Sequence, residues 1–143
     1  MGKKDLELAS ELSTVITRLV KKLRKESATG QQLSLTERTT LGLLVNGSML
    51  PSELAAAEMI TNQSMSQILN HLTDLGLIDR TASETDKRKV LISLTEAGHE
   101  MIKKVKSEKN EWLSVAIAAA CTDEEREILH KAVGPLSRII DHK

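Results

Sequence analysis

The sequence predicts a mainly α-helical protein with a small β-hairpin. Three observations support this prediction. The chain of 143 residues has the size of one domain, and apolar residues recur at helical spacing in most segments. In a single stretch, apolar and polar residues alternate instead. Apolar residues make up 40% of the chain and charged residues 28%. That balance is typical of a folded domain and argues against an intrinsically disordered chain.

The first two predicted helices are separated by a polar loop over residues 27–32. We expect cations near the end of the first helix, because they complement the negative end of the helix dipole. The second helix is expected to begin after Thr36, acting as its N-cap, and to stop at residues 46–48. The first helix carries the apolar stripe Leu8, Leu12, Val15, Ile16, Leu19, Val20 and Leu23 and the cations Lys21, Lys22, Arg24 and Lys25.

Two short helices with a tight break between them come next. Pro51 opens the third helix, with Ser52 as its expected cap, and residues 60–62 form the break. The fourth helix is predicted over about residues 63–75, and Gly76 follows, at a position where glycine adopts a left-handed conformation without strain. The apolar stripe of the fourth helix consists of Met65, Ile68, Leu69, Leu72 and Leu75.

The spacing of apolar residues then changes from a helical pattern to an alternation of apolar and polar residues. Residues 77–81 and 90–94 read as two short strands, joined by a polar and charged segment over residues 82–89, which predicts a hairpin with an exposed tip. Thr95 is expected to cap a long helix, and residues 122–125 form a capping box for the last one.

Four helices, a hairpin and two helices make up a winged helix-turn-helix domain flanked by N- and C-terminal helices. In that fold one helix enters the DNA major groove, about 12 Å wide, and the hairpin reaches the adjacent minor groove. We assign the winged helix-turn-helix to residues 35–95 and dimerisation helices to residues 1–30 and 96–143, within one domain over residues 1–143. Two-fold pairing would bury the apolar stripes of the flanking helices; packing of all the helices within a monomer is the alternative.

The outward face of the fourth helix is rich in amides and hydroxyls and carries no Glu or Lys. Gln and Asn can pair with adenine, and Ser can donate to bases or phosphates. An ordinary polar surface is the alternative interpretation. The candidate DNA-binding residues on this face are Asn62, Gln63, Ser64, Ser66, Gln67, Asn70 and His71.

Three consecutive cations, Lys87, Arg88 and Lys89, lie at the predicted hairpin tip and are further candidates. An arginine on a stiff hairpin can enter a narrow minor groove, where the negative potential is concentrated. Asp86 lies two residues before Arg88, so the two side chains can pair and hold the guanidinium in position. A solvated charged turn is the alternative. Residues 61–95 are formally neutral, so specific binding would depend on a few well-placed contacts.

Other kinds of site find little support in the sequence. Cys121 is the single cysteine, which excludes an intrachain disulfide, and the four histidines lack metal-ligand spacing. There is no Gly-rich phosphate loop, nucleophile elbow or zincin motif. We therefore expect no metal, no cofactor and no enzymatic activity. The longest apolar run has seven residues and no signal peptide is evident, so we expect a cytoplasmic protein without membrane contact.

The spaced motifs of residues 75–80, 86–88 and 94–98 resemble the signature of the MarR family of winged helix-turn-helix transcriptional regulators. The resemblance implies a homodimer on a pseudo-palindromic operator, acting as a repressor that a small effector releases. It also implies that Arg88 is the minor-groove arginine, with Asp86 as its support. Many relatives carry Arg near the positions of Gln67 and His71, which this chain lacks.

In relatives, effector pockets lie between the winged part and the long helices, so a small aromatic or phenolic effector is expected there. Trp112 is interpreted as a residue of the dimer core, and a role in lining such a pocket is the alternative. The competing functional hypothesis is a winged-helix module that binds a protein partner and has lost contact with DNA.

Overall fold

The computed structural model describes residues 2–143. It contains the predicted order of four helices, a hairpin and two helices, with a short 3-10 turn at Gly30–Gln32 in the predicted loop. The mainly α fold is therefore confirmed. The elements are α1 (Lys3–Glu26), α2 (Leu35–Leu43), α3 (Pro51–Glu58), α4 (Asn62–Asp74), β1 (Ile78–Ala82), β2 (Val90–Leu94), α5 (Glu96–Ala120) and α6 (Asp123–Asp141).

The start of α2 corrects the predicted cap at Thr36. Ser34 is the N-cap: its hydroxyl accepts a hydrogen bond from the backbone N–H of Glu37, at 3.1 Å. In return, the Glu37 carboxylate accepts from the backbone N–H of Ser34, at 2.8 Å. This reciprocal pairing satisfies two helix-end donors, which explains why the helix starts at Leu35.

The starts of α3 and α4 also differ slightly from the prediction. Leu50, not Ser52, is the N-cap of α3, because Pro51 occupies the first helical position and the Glu53 carboxylate accepts from the Leu50 N–H at 2.8 Å. Helix α4 begins one residue early, since the hydroxyl of Thr61 accepts from the backbone N–H of Ser64 at 3.0 Å.

The hydrophobic core lies beneath α2, α3, α4 and the hairpin. Strands β1 and β2 are antiparallel, with Ile78 opposite Leu94 and Arg80 opposite Ile92. Ile92 also exchanges two backbone hydrogen bonds with Met49, of 2.8 and 3.0 Å, which ties the hairpin to the segment before α3. The buried apolar residues are Leu33, Leu41, Leu44, Leu54, Ala55, Met65, Leu69, Leu72, Leu77, Ile78 and Ile92.

Helix α5 approaches the end of α4 very closely. Gly76 has φ of 75°, as expected after α4, and its carbonyl accepts from the Thr95 hydroxyl at 2.7 Å. The same hydroxyl caps α5 by accepting from the Gly98 N–H at 3.0 Å. A Cβ on Gly98 would overlap the carbonyl oxygen of Leu77. Glycine is therefore required at position 98 for α5 to pack here.

We expect Gly98→Ala to lower the free energy of unfolding by about 1–2 kcal/mol. Overpacking costs about 1–3 kcal/mol, and the higher helix propensity of alanine returns at most about 1 kcal/mol. Urea denaturation at fixed protein concentration measures the change. Gly42→Ala in α2 is the matched control, because a Cβ at Gly42 meets nothing within 4 Å and should not destabilise. Equal effects of the two substitutions would contradict this packing.

Helices α1 and α6 leave most of their apolar stripes exposed. No residue of α1 or α6 is buried within the chain. The predicted alternative, in which all the helices bury their stripes within a monomer, is therefore not what the structure shows. Among residues 2–143, no helix has the length and apolar character that crossing a bilayer requires. The exposed apolar residues include Leu8, Val15, Ile16, Leu19, Val20, Ile128, Leu129, Val133, Ile139 and Ile140.

Candidate nucleic-acid interface

Helix α4 is divided into a buried apolar face and an exposed polar face. Met65, Leu69 and Leu72 are buried in the core beneath it. The predicted outward residues are all exposed. Within the predicted apolar stripe, Ile68 is half-buried, and Leu75 departs from the prediction because it is 46% exposed as the C-cap of α4. The exposed outward residues are Asn62, Gln63, Ser64, Ser66, Gln67, Asn70 and His71.

Three of the exposed α4 residues already have partners within the chain. The Ser64 hydroxyl accepts from the Thr61 hydroxyl at 3.0 Å, and Asn70 and His71 contact residues of other elements. Within residues 2–143, the other four side chains on this face make no hydrogen bond, so their polar groups are available to an external partner. These four residues are Asn62, Gln63, Ser66 and Gln67.

The exposed face of α4 is connected to the hairpin by one side-chain hydrogen bond. Arg80, on β1, donates from Nη2 to the amide oxygen of Asn70 at 2.8 Å. Because arginine can only donate, the contact fixes which end of the Asn70 amide is the oxygen. Both N–H groups of that amide stay free for an acceptor. The contact also places the exposed side of β1 next to the exposed face of α4.

His71 is linked to α2 through Glu37. The ring nitrogen Nδ1 contacts Glu37 Oε2, while Oε1 of the same carboxylate caps α2. The Glu37 side chain is 9% exposed and that of His71 52%. Burial would raise the pKa of Glu37, but hydrogen bonds from Ser34 and the hydrogen bond and charge of His71 outweigh it and lower that pKa. Glu37 was not among the residues predicted from the sequence.

The hairpin tip holds Arg88 in the way the sequence predicts. Oδ1 of Asp86 accepts from the backbone N–H of Arg88 at 3.1 Å and from its Nε at 3.2 Å. The Arg88 side chain is 91% exposed, so the ion pair itself adds little stability and serves mainly to orient the guanidinium. Lys87 and Lys89 are exposed on either side of it.

A cluster of cations lies between α1, α2 and α5, away from the predicted DNA-contacting residues. We call Arg24, Arg38 and Lys109 the cationic cleft. Burial, and then the charge of Arg24, lowers the pKa of Arg38; burial, and then the charge of Arg38, lowers the pKa of Lys109. Among the described residues none of the three pairs with a carboxylate. This cluster was not predicted from the sequence.

Arg38 is the central residue of the cationic cleft. Its Nε donates to the carbonyl of Gly30 at 2.7 Å, but its buried Nη1 has no hydrogen-bond partner in the described chain. Arg38, Lys106 and Lys109 line a cavity of about 220 Å³. Its other walls are largely apolar and include Leu41, Met101 and Ile102. A buried donor without an acceptor is costly, so this arrangement suits an anion with an apolar body.

Glu108, next to Lys109 in the chain, forms no ion pair with the cations of the cleft among the described residues. Glu108 accepts hydrogen bonds from the Ser27 hydroxyl at 2.9 Å and from the Thr29 N–H and hydroxyl at 3.2 and 2.9 Å. Desolvation raises the pKa of Glu108, but these hydrogen bonds outweigh it and lower that pKa.

Trp112 is half-buried, with the Lys22 ammonium 5.5 Å from its ring centroid.

Residues 2–143 contain no group of three or more potential metal ligands. Cys121 is a free thiol at the end of α5.

Comparison with known proteins gives matches along the whole chain. A sequence model of the MarR family matches residues 31–89, from the 3-10 turn to the hairpin tip. An uncharacterized HTH-type transcriptional regulator of Mycobacterium bovis is 34% identical over 138 residues, covering 96% of this chain and 95% of that protein. The transcriptional repressor MprA of Escherichia coli is 31% identical over 100 residues, which are 70% of this chain and 57% of MprA.

Among solved structures, a transcriptional regulator protein from Pseudomonas aeruginosa has a TM-score of 0.87 to this chain at 29% identity. The alignment covers 100% of both chains. These proteins are named as transcriptional regulators and not as enzymes, which agrees with the expectation from the sequence.

Proposed function

Because this chain belongs to the MarR family of transcriptional regulators, we propose that it binds duplex DNA with sequence specificity, as a homodimer on a pseudo-palindromic operator. The observation that best supports this proposal is the hydrogen bond between Arg80 and Asn70. This contact lies between the hairpin and the exposed face of α4, so both can contact one duplex. Its target is chromosomal DNA, so we also propose the cytoplasm as its compartment.

The two parts of the interface have different roles in this proposal. The uncharged polar face of α4 lies in the major groove, where Gln67 and its neighbours read base edges. Arg88 enters the adjacent minor groove, and the hydrogen bond from its backbone N–H to Oδ1 of Asp86 keeps the turn rigid. Because residues 61–95 are formally neutral, binding to unrelated DNA should be weak.

A second copy of the chain is the partner we propose for the exposed apolar stripes of α1 and α6. Stripes of this length on two helices are too extensive to remain in water on a stable monomer. A two-fold axis would bring the same stripes of both copies together and set the two α4 helices about 34 Å apart, one turn of DNA.

We further propose that the protein is a repressor that a small aromatic or phenolic anion releases from DNA. The E. coli relative is named as a transcriptional repressor. The cationic cleft provides charge for a carboxylate or phenolate, and the apolar wall of the 220 Å³ cavity provides contact for an aromatic ring. The cleft lies between α1, α2 and α5. A ligand bound there would change the position of the winged helix-turn-helix relative to the long helices.

Selection of duplexes from a random library, followed by fluorescence anisotropy, tests the proposed DNA binding. We expect an enriched palindromic sequence that binds at least about a thousandfold more tightly than a scrambled duplex of equal length. A folded protein that enriches no sequence and binds no duplex even at low salt would contradict the proposal. That result would favour the alternative of a protein-interaction module.

Benzoate and 4-hydroxybenzoate are suitable probes for the effector site. We expect either anion at millimolar concentration to raise the melting temperature and to weaken operator binding, because ligand binding stabilises the conformation it prefers. Arg38→Gln should abolish the thermal shift. Lys131→Gln, which removes an exposed cation from α6, should not. A thermal shift that survives Arg38→Gln would place the anion elsewhere.

A further inference from the structure

The contact between Glu37 and His71 joins the first turn of α2 to the DNA-facing side of α4. Glu37 is almost fully buried, and its two carboxylate oxygens have separate tasks: Oε1 caps α2 and Oε2 contacts Nδ1 of the imidazole. More than half of the His71 side chain remains exposed. The ring therefore has an inner nitrogen held by a carboxylate and an exposed portion on the face proposed to meet DNA.

Hydrogen-bond chemistry restricts the protonation state of this ring. A carboxylate only accepts, so Nδ1 must carry a proton. In the neutral imidazole the other nitrogen, Nε2, then has a lone pair and no proton. Phosphate oxygens are also acceptors and would be repelled by that lone pair. A favourable contact of Nε2 with a phosphate requires the doubly protonated, cationic ring.

We propose that Glu37 is a positioning residue that holds His71 as an imidazolium between its own carboxylate and a DNA phosphate, so that operator binding takes up a proton and strengthens as the pH falls. This inference rests on the proposed DNA binding. Histidine changes charge between about pH 5 and 8, the range in which such a linkage is measurable. The lowered pKa of Glu37 keeps its carboxylate ionised throughout that range.

The elements packed against α4 carry other charged groups, one of which, Glu58 on α3, has a buried carboxylate oxygen without a hydrogen-bond partner among the described residues. On β1, Arg80 donates to Asn70. On α2, Arg38 donates to Gly30 in the cationic cleft. Glu37 thus supplies the direct partner of the imidazole. The remaining charged residues on these elements and in the last turn of α4 are Glu53 and Glu58 on α3, Asp79 on β1 and Asp74 on α4.

The test measures affinity for the selected duplex by anisotropy at pH 6, 7 and 8, at constant ionic strength, with the full chain. For the unmodified protein we expect the affinity to fall as the pH rises from 6 to 8, by at most about tenfold per pH unit, the limit for one linked proton. His71→Gln should remove this dependence. His142→Gln, beyond the end of α6, should retain it.

Glu37→Gln separates a positioning role from a merely structural one. The Gln carboxamide oxygen can still cap α2, while its N–H group donates to Nδ1 and leaves the proton of the neutral ring on Nε2. A neutral ring then offers a donor to the phosphate at any pH. We therefore expect a flat pH profile and, at pH 8, tighter binding than that of the unmodified protein. A structural role alone predicts weaker binding at every pH.

Each outcome bears on a distinct statement. If all four proteins bind DNA with the same pH profile, the inference is wrong and the proposed DNA binding stands. If Glu37→Gln keeps the slope that His71→Gln removes, Glu37 does not set the protonation of the ring. If no duplex binds at any pH, the proposed function fails first. Thermal melting at each pH identifies a variant that does not fold, and His71→Gln then still tests the linkage.

Discussion

Replacing Val133 with aspartate is expected to convert the proposed dimer into a monomer. Val133 lies in the middle of the apolar stripe of α6 and is 61% exposed in the single chain. If a second copy covers the stripe, an aspartate there would bury an unpaired charge, which is incompatible with a tight interface. Size-exclusion chromatography with light scattering measures the change in mass.

The monomer should also lose most of its affinity for the selected duplex. A dimer that contacts two half-sites binds about 10²–10⁴-fold more tightly than a monomer that contacts one. We therefore expect the affinity to fall by at least about a hundredfold. Helical content should be retained, because α6 contributes no buried residue to the chain. Lys131→Asp, a charge change on an exposed residue outside the stripe, is the matched control. A dimeric Val133→Asp protein with unchanged affinity would show that another face pairs the two copies.

Substitutions of Arg88 and Gln67 are expected to weaken DNA binding in two different ways. Arg88→Ala should reduce affinity for selected and scrambled duplexes alike and lower the slope of log K against log salt by about one, because it removes one cation from the phosphate environment. Gln67→Ala should cost about 1–3 kcal/mol on the selected duplex and little on the scrambled one, because it removes a base contact.

Both side chains are exposed, so neither substitution should change the fold, and thermal melting provides the control. Asp86→Ala should resemble a weaker form of Arg88→Ala, since it leaves the cation in place but removes the two hydrogen bonds that orient it. Equal losses from Arg88→Ala and Gln67→Ala on every duplex would contradict the assigned roles.

The helices and the polar face of α4 could be predicted because they depend on local periodicity. A stripe such as Met65, Leu69 and Leu72 indicates both a helix and its buried side, whatever it packs against. The pairing of Asp86 with Arg88 was also predictable, since the two residues are only two positions apart in the chain. The structure places both in the turn between β1 and β2 and not on a strand.

The cap of α2 was mispredicted although the sequence contains the relevant signal. Ser34 and Glu37 have the spacing of a capping box, whereas Thr36 has Thr39 at the corresponding position, which cannot return the hydrogen bond. The contact of Glu37 with His71 carries no such signal. The two residues are 34 positions apart, and only the packing of α2 against α4 brings them together.

The cationic cleft was missed for the same reason. Arg24, Arg38 and Lys109 lie on three different helices, and each alone resembles an ordinary surface cation. Their proximity depends on the turn at Gly30, whose carbonyl accepts a hydrogen bond from Nε of Arg38. Long-range contacts of this kind are determined by tertiary packing and not by local pattern.

Hydroxyl-radical footprinting of the full chain on the selected duplex tests the central claim most directly. A dimer that inserts two α4 helices into successive major grooves predicts two equivalent protected half-sites with centres about 34 Å apart, one helical turn, and flanking minor-groove protection that Arg88→Ala removes. A single protected half-site, or no protection at concentrations where the protein is dimeric, would contradict it.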